Sequence, residues 1–387
     1  MIAVTKDISS TDTHTAAVSA PRVLIAAGGT GGHVYPGIAV ADALRKRHPN
    51  AEIIFAGTKD RMEWQAVPKA GYRIQSIWIS GFHRRLTPQN LLFPIKLLTS
   101  LVQSYKMLRS LRPDAVLSCG GFASGPVGWV ASKMNIPLIL QEQNSFPGIT
   151  NRMLAKHADV IFTAFEDASD HLPREKIVLT GNPVRESLNK IDRNSAFKHF
   201  DFKETGPVLL ILGGSGGAKS INKAVERHLH LLHNELGIQI IWQCGHRYYD
   251  ELSERTDMDS LENLRLLKFI DNMAAAYTVA DLVVSRAGAL SCSELMLTGK
   301  PSVLIPSPNV AGDHQSKNAD SMVKEGAAVL LKDEKAENQL ASVVESLIFD
   351  KTKLDNMSRS ARLLARPDAA VKIAKEIEQR STGNRYE

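Results

Sequence analysis

At 387 residues the chain is long enough for two domains of ordinary size, each burying its own core, and its 43% hydrophobic and 23% charged composition excludes the disordered and fibrous classes. The net charge of +6 is uneven: residues 1–185 hold 21 Lys and Arg against 13 Asp and Glu, whereas the remainder hold 26 against 28. Cys119, Cys244 and Cys292 lie far apart without a C-x-x-C, so neither a disulfide framework nor a zinc site is expected, and a reducing compartment fits.

Residues 1–20, rich in Thr, Ser and Ala, lack a basic segment followed by an apolar run, and are expected to be a disordered tail and not a signal peptide. The apolar run Val23 to Ala27 then leads into Gly28-Gly29-Thr30-Gly31-Gly32-His33, which opens a helical pattern reaching Arg47. A strand that turns through glycines into a helix is an anion site in outline, because main-chain N–H groups can approach a phosphate and the helix N-terminus carries partial positive charge. Strands are expected at Glu52 to Gly57, Tyr72 to Ile79, Asp114 to Ser118, Ile136 to Leu140, Val160 to Thr163 and Ile177 to Leu179, with helices between them. This βαβ rhythm predicts a parallel sheet of about seven strands with its ligand loops on one rim, at Gly28, Gly120 and Glu142-Gln143-Asn144.

Gly181-Asn182-Pro183-Val184-Arg185 closes that unit, and the charged, aperiodic stretch 186–206 reads as a linker. The rhythm restarts with Val208 to Leu212, which runs into a second glycine loop, Gly213-Gly214-Ser215-Gly216-Gly217-Ala218, and continues through strands at Ile238 to Trp242, Leu264 to Phe269, Asp281 to Ser285, Ser302 to Ile305 and Ala328 to Leu331. The fold class is therefore α/β, with two doubly wound, Rossmann-like domains facing across a cleft.

A nicotinamide-dinucleotide enzyme needs an acid at the end of the second strand for the ribose hydroxyls, yet those strands end in Gly57-Thr58-Lys59 and Gln243-Cys244-Gly245. Neither loop is a phosphate-binding P-loop, because no Gly-Lys-(Ser/Thr) follows. Asp257-Met258-Asp259 matches the D-x-D of metal-dependent glycosyltransferases but sits in a charge-rich segment and reads as a solvated turn.

The glycine loops, together with Gly120-Gly121-Phe122-Ala123-Ser124-Gly125-Pro126, Glu142-Gln143-Asn144, Gly181 to Arg185, Ser285-Arg286-Ala287-Gly288-Ala289 through Glu294, and His314-Gln315-Ser316-Lys317-Asn318-Ala319, appear in the order of one known family. Together they resemble the MurG family, GT-B glycosyltransferases of family 28 that move N-acetylglucosamine from UDP-GlcNAc to lipid I, the undecaprenyl-diphosphate-linked MurNAc-pentapeptide, giving lipid II for peptidoglycan. The resemblance implies a GT-B fold with an acceptor and membrane-side domain over residues 21–184, a UDP-GlcNAc domain over 185–366 and a C-terminal helix, 367–387, that packs back on the first domain. It implies substrate contacts at Thr30, Gly31, Gly32, Ala289, Leu290 and Ser291, and donor-side contacts at Asn144 and Arg185, at Ser215 for a phosphate, at Ile270 for the uracil, at Glu294 for the ribose hydroxyls and at Gln315 for the sugar. Several family members carry a second glutamine after the first; this chain has Ser316. Inverting transfer to the MurNAc C4 hydroxyl needs a base. His33 is the first candidate, with a helix N-terminus expected to favour its neutral form, and Glu142 is the second. No cofactor or tightly bound metal is expected. A UDP-GlcNAc 2-epimerase, or another nucleotide-sugar enzyme of the same fold, is the alternative.

Between Glu63 and Asp114 there is no acidic residue, and the stretch includes Arg84, Arg85, Leu91, Leu92, Phe93, Ile95 and Lys96. Apolar runs here are far short of the ~20 residues that span a bilayer, so an apolar tip flanked by cations is expected to dock on an anionic membrane surface, which the resemblance implies is the cytoplasmic face of the bacterial inner membrane. Leu97, Leu98, Leu101, Val102, Tyr105 and Leu108 are expected to form an ordinary core face. Nothing interleaves aromatic with basic residues as nucleic-acid binding would require. Other cell-wall synthesis proteins are further partners that the resemblance implies.

Overall fold

The structure, a computed structural model, describes residues 20–81, 92–184, 188, 191–214, 216–256, 261–310 and 313–383. Arg84, Arg85, Leu91, Arg185, Ser215 and the Asp257-Met258-Asp259 segment lie outside the described residues.

The first domain runs β1 (Arg22–Ala26), α1 (Gly31–Arg47), β2 (Glu52–Gly57), α2 (Glu63–Lys69), β3 (Arg73–Ser76), α3 (Phe93–Leu111), β4 (Ala115–Ser118), α4 (Ser124–Lys133), β5 (Leu138–Glu142), α5 (Ile149–Leu154), β6 (Val160–Thr163) and β7 (Ile177–Leu179). Its strands form a seven-stranded sheet in the order β3-β2-β1-β4-β5-β6-β7, every pair parallel. The second domain holds α6 (Arg193–Phe200), β8 (Val208–Leu212), α7 (Lys219–His230), β9 (Gln239–Gln243), α8 (Tyr249–Arg255), β10 (Leu264–Leu267), α9 (Met273–Val279), β11 (Leu282–Ser285), α10 (Ala289–Thr298), β12 (Ser302–Leu304), α11 (His314–Lys324), β13 (Ala328–Leu330), α12 (Ala336–Ile348) and α13 (Lys351–Leu364). Its six parallel strands follow the order β10-β9-β8-β11-β12-β13. The strand order reverses beside β1 in one sheet and beside β8 in the other, and the glycine loops leave these two strands, so each loop opens at a crevice beyond the strand ends.

Central strands such as Val208-Leu209-Leu210-Ile211-Leu212 are buried throughout, as strands covered by helices on both faces must be. The chain finally crosses back: α14 (Ala369–Gly383) sets Ala370, Ile373, Ala374 and Ile377 into the first domain's core and pairs Glu378 with Arg47 at 2.7 Å.

Two expectations fail. The stretch read as a linker contains α6, capped by Asp192 accepting from the Ser195 N–H and held by buried Phe197 and Phe200. Only eight residues long, it carries too little periodicity to be read as a helix.

The second failure concerns which face of α3 is buried. Ser100 and Ser104 are buried together with Met107 and Leu108, whereas Leu97, Leu98, Val102 and Tyr105 are exposed. Small residues let α3 approach α4 closely, and the hydroxyls are satisfied within the helix, Ser100 donating to the Leu97 carbonyl and Ser104 to the Ser100 carbonyl. Ser104→Leu is therefore expected to destabilise the protein by about 1–3 kcal/mol through overpacking; an unchanged urea midpoint would show that this seam tolerates bulk.

Candidate functional site

On the first domain, Gly29 takes a positive φ of 91° at the turn between β1 and α1, which glycine alone adopts without strain. The neighbouring loop after β4 lies so close that a Cβ on Gly121 would overlap the Gly28 carbonyl. His33 stands in the first turn of α1 with Nδ1 at 3.1 Å from Thr30 Oγ1 and its ring against Gly120. Thr30 is exposed and Gly31 and Gly32 are half-buried on the same rim. Desolvation holds the His33 pKa below the ordinary imidazole value, opposed by a hydrogen bond to the Gly28 main chain and by Glu63, and reinforced by His314 from across the cleft. The neutral form is thus favoured as expected, but burial and not the helix N-terminus is the leading cause.

Glu142 ends β5 at the rim and is almost fully buried. One oxygen accepts from the Asn144 N–H at 2.9 Å and from Asn144 Nδ2 at 3.3 Å; the other accepts from the Gly148 N–H at 3.0 Å and from Asn151 Nδ2 at 2.8 Å. Burial pushes its pKa up even against these four donors, which pull it down. The carboxylate thus shapes the loop that carries Asn144.

On the second domain a cavity of about 760 Å³ opens at the second glycine loop, lined by Gly214, Gly217, Lys219, Arg286, Ser291 and Gln315 among others. Arg286, mostly buried, donates to Ser220 Oγ at 2.9 Å and to Asp333 Oδ1 at 2.5 Å, and Ser220 donates to the same Asp333 oxygen. Gln315 Oε1 accepts the Ser307 N–H at 2.8 Å, which leaves its amide NH2 to offer to a ligand. Ser316 turns away, donating to Asp313 Oδ1 at 2.7 Å. Ala289 is buried and Leu290 half-buried at the start of α10. Glu294, one turn on, is half-buried and accepts from the hydroxyl of Tyr277 at 2.9 Å. The Ile270 side chain is in the core, so only its main chain is available to a base.

The two rims are joined by buried polar contacts. Asn182 Nδ2 donates to the Gln143 carbonyl at 3.1 Å in the first domain and to Ser293 Oγ at 3.0 Å in the second, while its Oδ1 accepts from Gln141. Ser145 donates to Asn318 Oδ1 at 3.1 Å, and Asn318 donates on to the Ala287 carbonyl. Sequence reading missed these pairings, as it missed Glu63, Ser220 and Asp333. Asn182 and Asn318 lie inside quoted motifs, whereas no local pattern marks the other three.

Two family models divide the chain between them: the glycosyltransferase family 28 N-terminal domain matches residues 23–163 and the family 28 C-terminal domain residues 208–376. The chain belongs to glycosyltransferase family 28. A curated family 28 relative from Flavobacterium psychrophilum, named UDP-N-acetylglucosamine--N-acetylmuramyl-(pentapeptide) pyrophosphoryl-undecaprenol N-acetylglucosamine transferase, is 46% identical over 358 residues, covering 92% of this chain and 96% of its own. A Salinibacter ruber protein of the same name is also 46% identical, with the same coverage. The crystal structure of Acinetobacter baumannii MurG superposes with a TM-score of 0.70 at 30% identity, over 93% of this chain and 99% of that one. Two parallel-sheet domains with that neighbour establish the GT-B fold of this family 28 chain.

Proposed function

We propose that the chain is an inverting glycosyltransferase that moves GlcNAc from UDP-GlcNAc to the C4 hydroxyl of MurNAc in lipid I. The observation that carries this reading is the near full-length relative, 46% identical and named for that transfer. The epimerase alternative rests on fold alone and is not favoured.

In this reading the donor occupies the second domain's cavity. The diphosphate lies at the glycine loop and the N-terminus of α7, where main-chain N–H groups, Lys219 and Lys223 offset its charge without a metal. Ser215 and Arg185 complete the phosphate contacts, the Ile270 main chain reads the uracil, and Glu294 accepts from the ribose. Gln315 donates to a sugar hydroxyl, and Ala289, Leu290 and Ser291 frame the phosphates at the start of α10. The acceptor comes to the opposite rim, with Thr30, Gly31, Gly32 and Asn144 at the reacting end. His33 removes the proton from the attacking hydroxyl as the C1–O bond to UDP breaks. Glu142 holds the 143–148 loop in place. In the test, the protein with UDP-GlcNAc labelled in the sugar should yield labelled lipid only when lipid I is present; label that stays in the aqueous nucleotide fraction overturns the proposal.

The polyprenyl diphosphate of such an acceptor stays at a bilayer, so the first domain must reach that surface. No helix among the described residues is long and apolar enough to cross a membrane. We propose docking on the anionic cytoplasmic face of the inner membrane, with the surface extended from Leu92 and Ile95 of the expected tip along the outer face of α3. Leu92, Ile95, Leu98, Val102 and Tyr105 are exposed there, Leu98 at 67%. Phe93 instead packs against the core, and Lys96 is half-buried against Ser80 and Trp78. Burial of such area contributes ~25 cal/mol per Å². Changing Leu92, Ile95, Leu98 and Val102 together to Ser should cut sedimentation with anionic liposomes by about ten-fold or more. It should spare transfer to a water-soluble, short-chain acceptor. Sedimentation like wild type would place the dock elsewhere.

A further inference from the structure

Glu63, the first residue of α2, is fully buried beneath the first glycine loop, and no ion pair to it occurs among the described residues. Three neutral donors converge on its carboxylate: the Thr58 N–H at 3.1 Å, the Thr58 hydroxyl at 2.8 Å and the Gly29 N–H at 3.1 Å. The space it fills is tight, since a Cβ on Gly57 would lie 2.7 Å from Glu63 Cγ and one on Gly28 would lie 3.0 Å from Oε1.

An acid is a poor choice under a loop meant only to bind phosphate. It takes the Gly29 N–H out of the set offered to an anion and places negative charge beneath it. Its position makes sense from the other side of the same peptide. The Gly28–Gly29 amide presents its N–H to Glu63, and its carbonyl belongs to the residue whose main chain interacts with His33 in the sense that favours a protonated ring. A carboxylate on the N–H end of an amide polarises the carbonyl at its other end and strengthens it as an acceptor.

We propose that Glu63 is a positioning residue for the transfer, acting on His33 through the Gly28–Gly29 peptide to support the imidazolium formed when the acceptor hydroxyl loses its proton. The inference deepens the reading of His33 as base and rests on it. The charged and titratable groups that act on His33 are Glu63 from α2, which favours the protonated ring, and His314 from α11, which opposes it. Glu63 thus partly offsets the burial that makes the ring a weaker base, without touching substrate.

The test is the pH profile of kcat for wild type, Glu63→Gln and His33→Ala, with donor KM and melting temperature measured alongside. Removing the charge should shift the acid limb to lower pH by about half a unit or more. The plateau should fall about three- to ten-fold, because a less basic imidazole is a weaker general base. Donor KM should stay within about two-fold of wild type. A lower plateau with an unmoved limb would overturn the proposal and leave Glu63 a structural support. Should Glu63→Gln not fold, Glu63→Asp, which keeps the charge but shortens its reach to Gly29, is expected to move the limb in the same direction by less. An unmoved limb there overturns the proposal equally. His33→Ala separates the layers: an acid limb that persists in that variant refutes the base assignment itself. A limb lost in His33→Ala but unmoved in Glu63→Gln refutes only the role of Glu63.

Discussion

Replacing His33 with alanine is expected to lower kcat for transfer by about 10² or more, a barrier increase of about 2.7 kcal/mol, with donor affinity nearly intact. The ring lies on the first domain's rim, held at Thr30 and packed on Gly120, while the cavity proposed for the donor is built from the other domain. Because burial depresses its pKa, wild-type kcat should rise from acid pH with a midpoint below 6.5, the ordinary imidazole value, and stay flat through neutrality. The sign follows from the role: a base works when neutral, so activity is lost as pH falls through the folded-state pKa. Unchanged turnover together with a lower melting temperature would make His33 a packing residue of the α1 first turn.

Glu294→Ala is expected to weaken UDP-GlcNAc binding ten- to a hundred-fold, since a hydrogen bond to a charged group is worth about 1.5–3 kcal/mol. The Tyr277 hydroxyl at 2.9 Å orients this carboxylate, so Tyr277→Phe should show a smaller loss in the same direction. The diagnostic comparison is between UDP-GlcNAc and its 2′-deoxyribose analogue. Wild type should prefer the former and Glu294→Ala should not. A variant that still discriminates as wild type does would place the ribose elsewhere.

Elements that depend on local pattern were readable from the chain. Every β-strand of both sheets overlaps an expected one; central strands such as Val208–Leu212 are continuously apolar because both their faces are buried, whereas the edge strand β3, Arg73-Ile74-Gln75-Ser76, alternates exposed with half-buried positions. Each glycine loop follows its strand directly, and the strand order puts both at crevices. What escaped depends on tertiary proximity. Glu63 sits in Arg61-Met62-Glu63-Trp64, a stretch that looks solvated, and is buried only because the glycine loop and Thr58 come to it. The outer face of α3 was misassigned on the rule that apolar residues face inward, which Ser100 and Ser104 reverse by permitting a close helix approach. Arg286 stood in a recognised motif, yet its partners Ser220 and Asp333 are 66 and 47 positions away and carry no mutual signal.

Transfer between the two rims is read out by following one reaction to completion. The protein is incubated with UDP-GlcNAc and a short-chain lipid I analogue, and UDP, disaccharide and anomeric configuration are read from the same sample by NMR. One UDP should appear for each disaccharide, the new linkage should be to the MurNAc C4 oxygen with the configuration at GlcNAc C1 inverted, and no UDP should form without acceptor. UDP release without disaccharide, a retained configuration, or conversion of the donor to its 2-epimer would contradict the account.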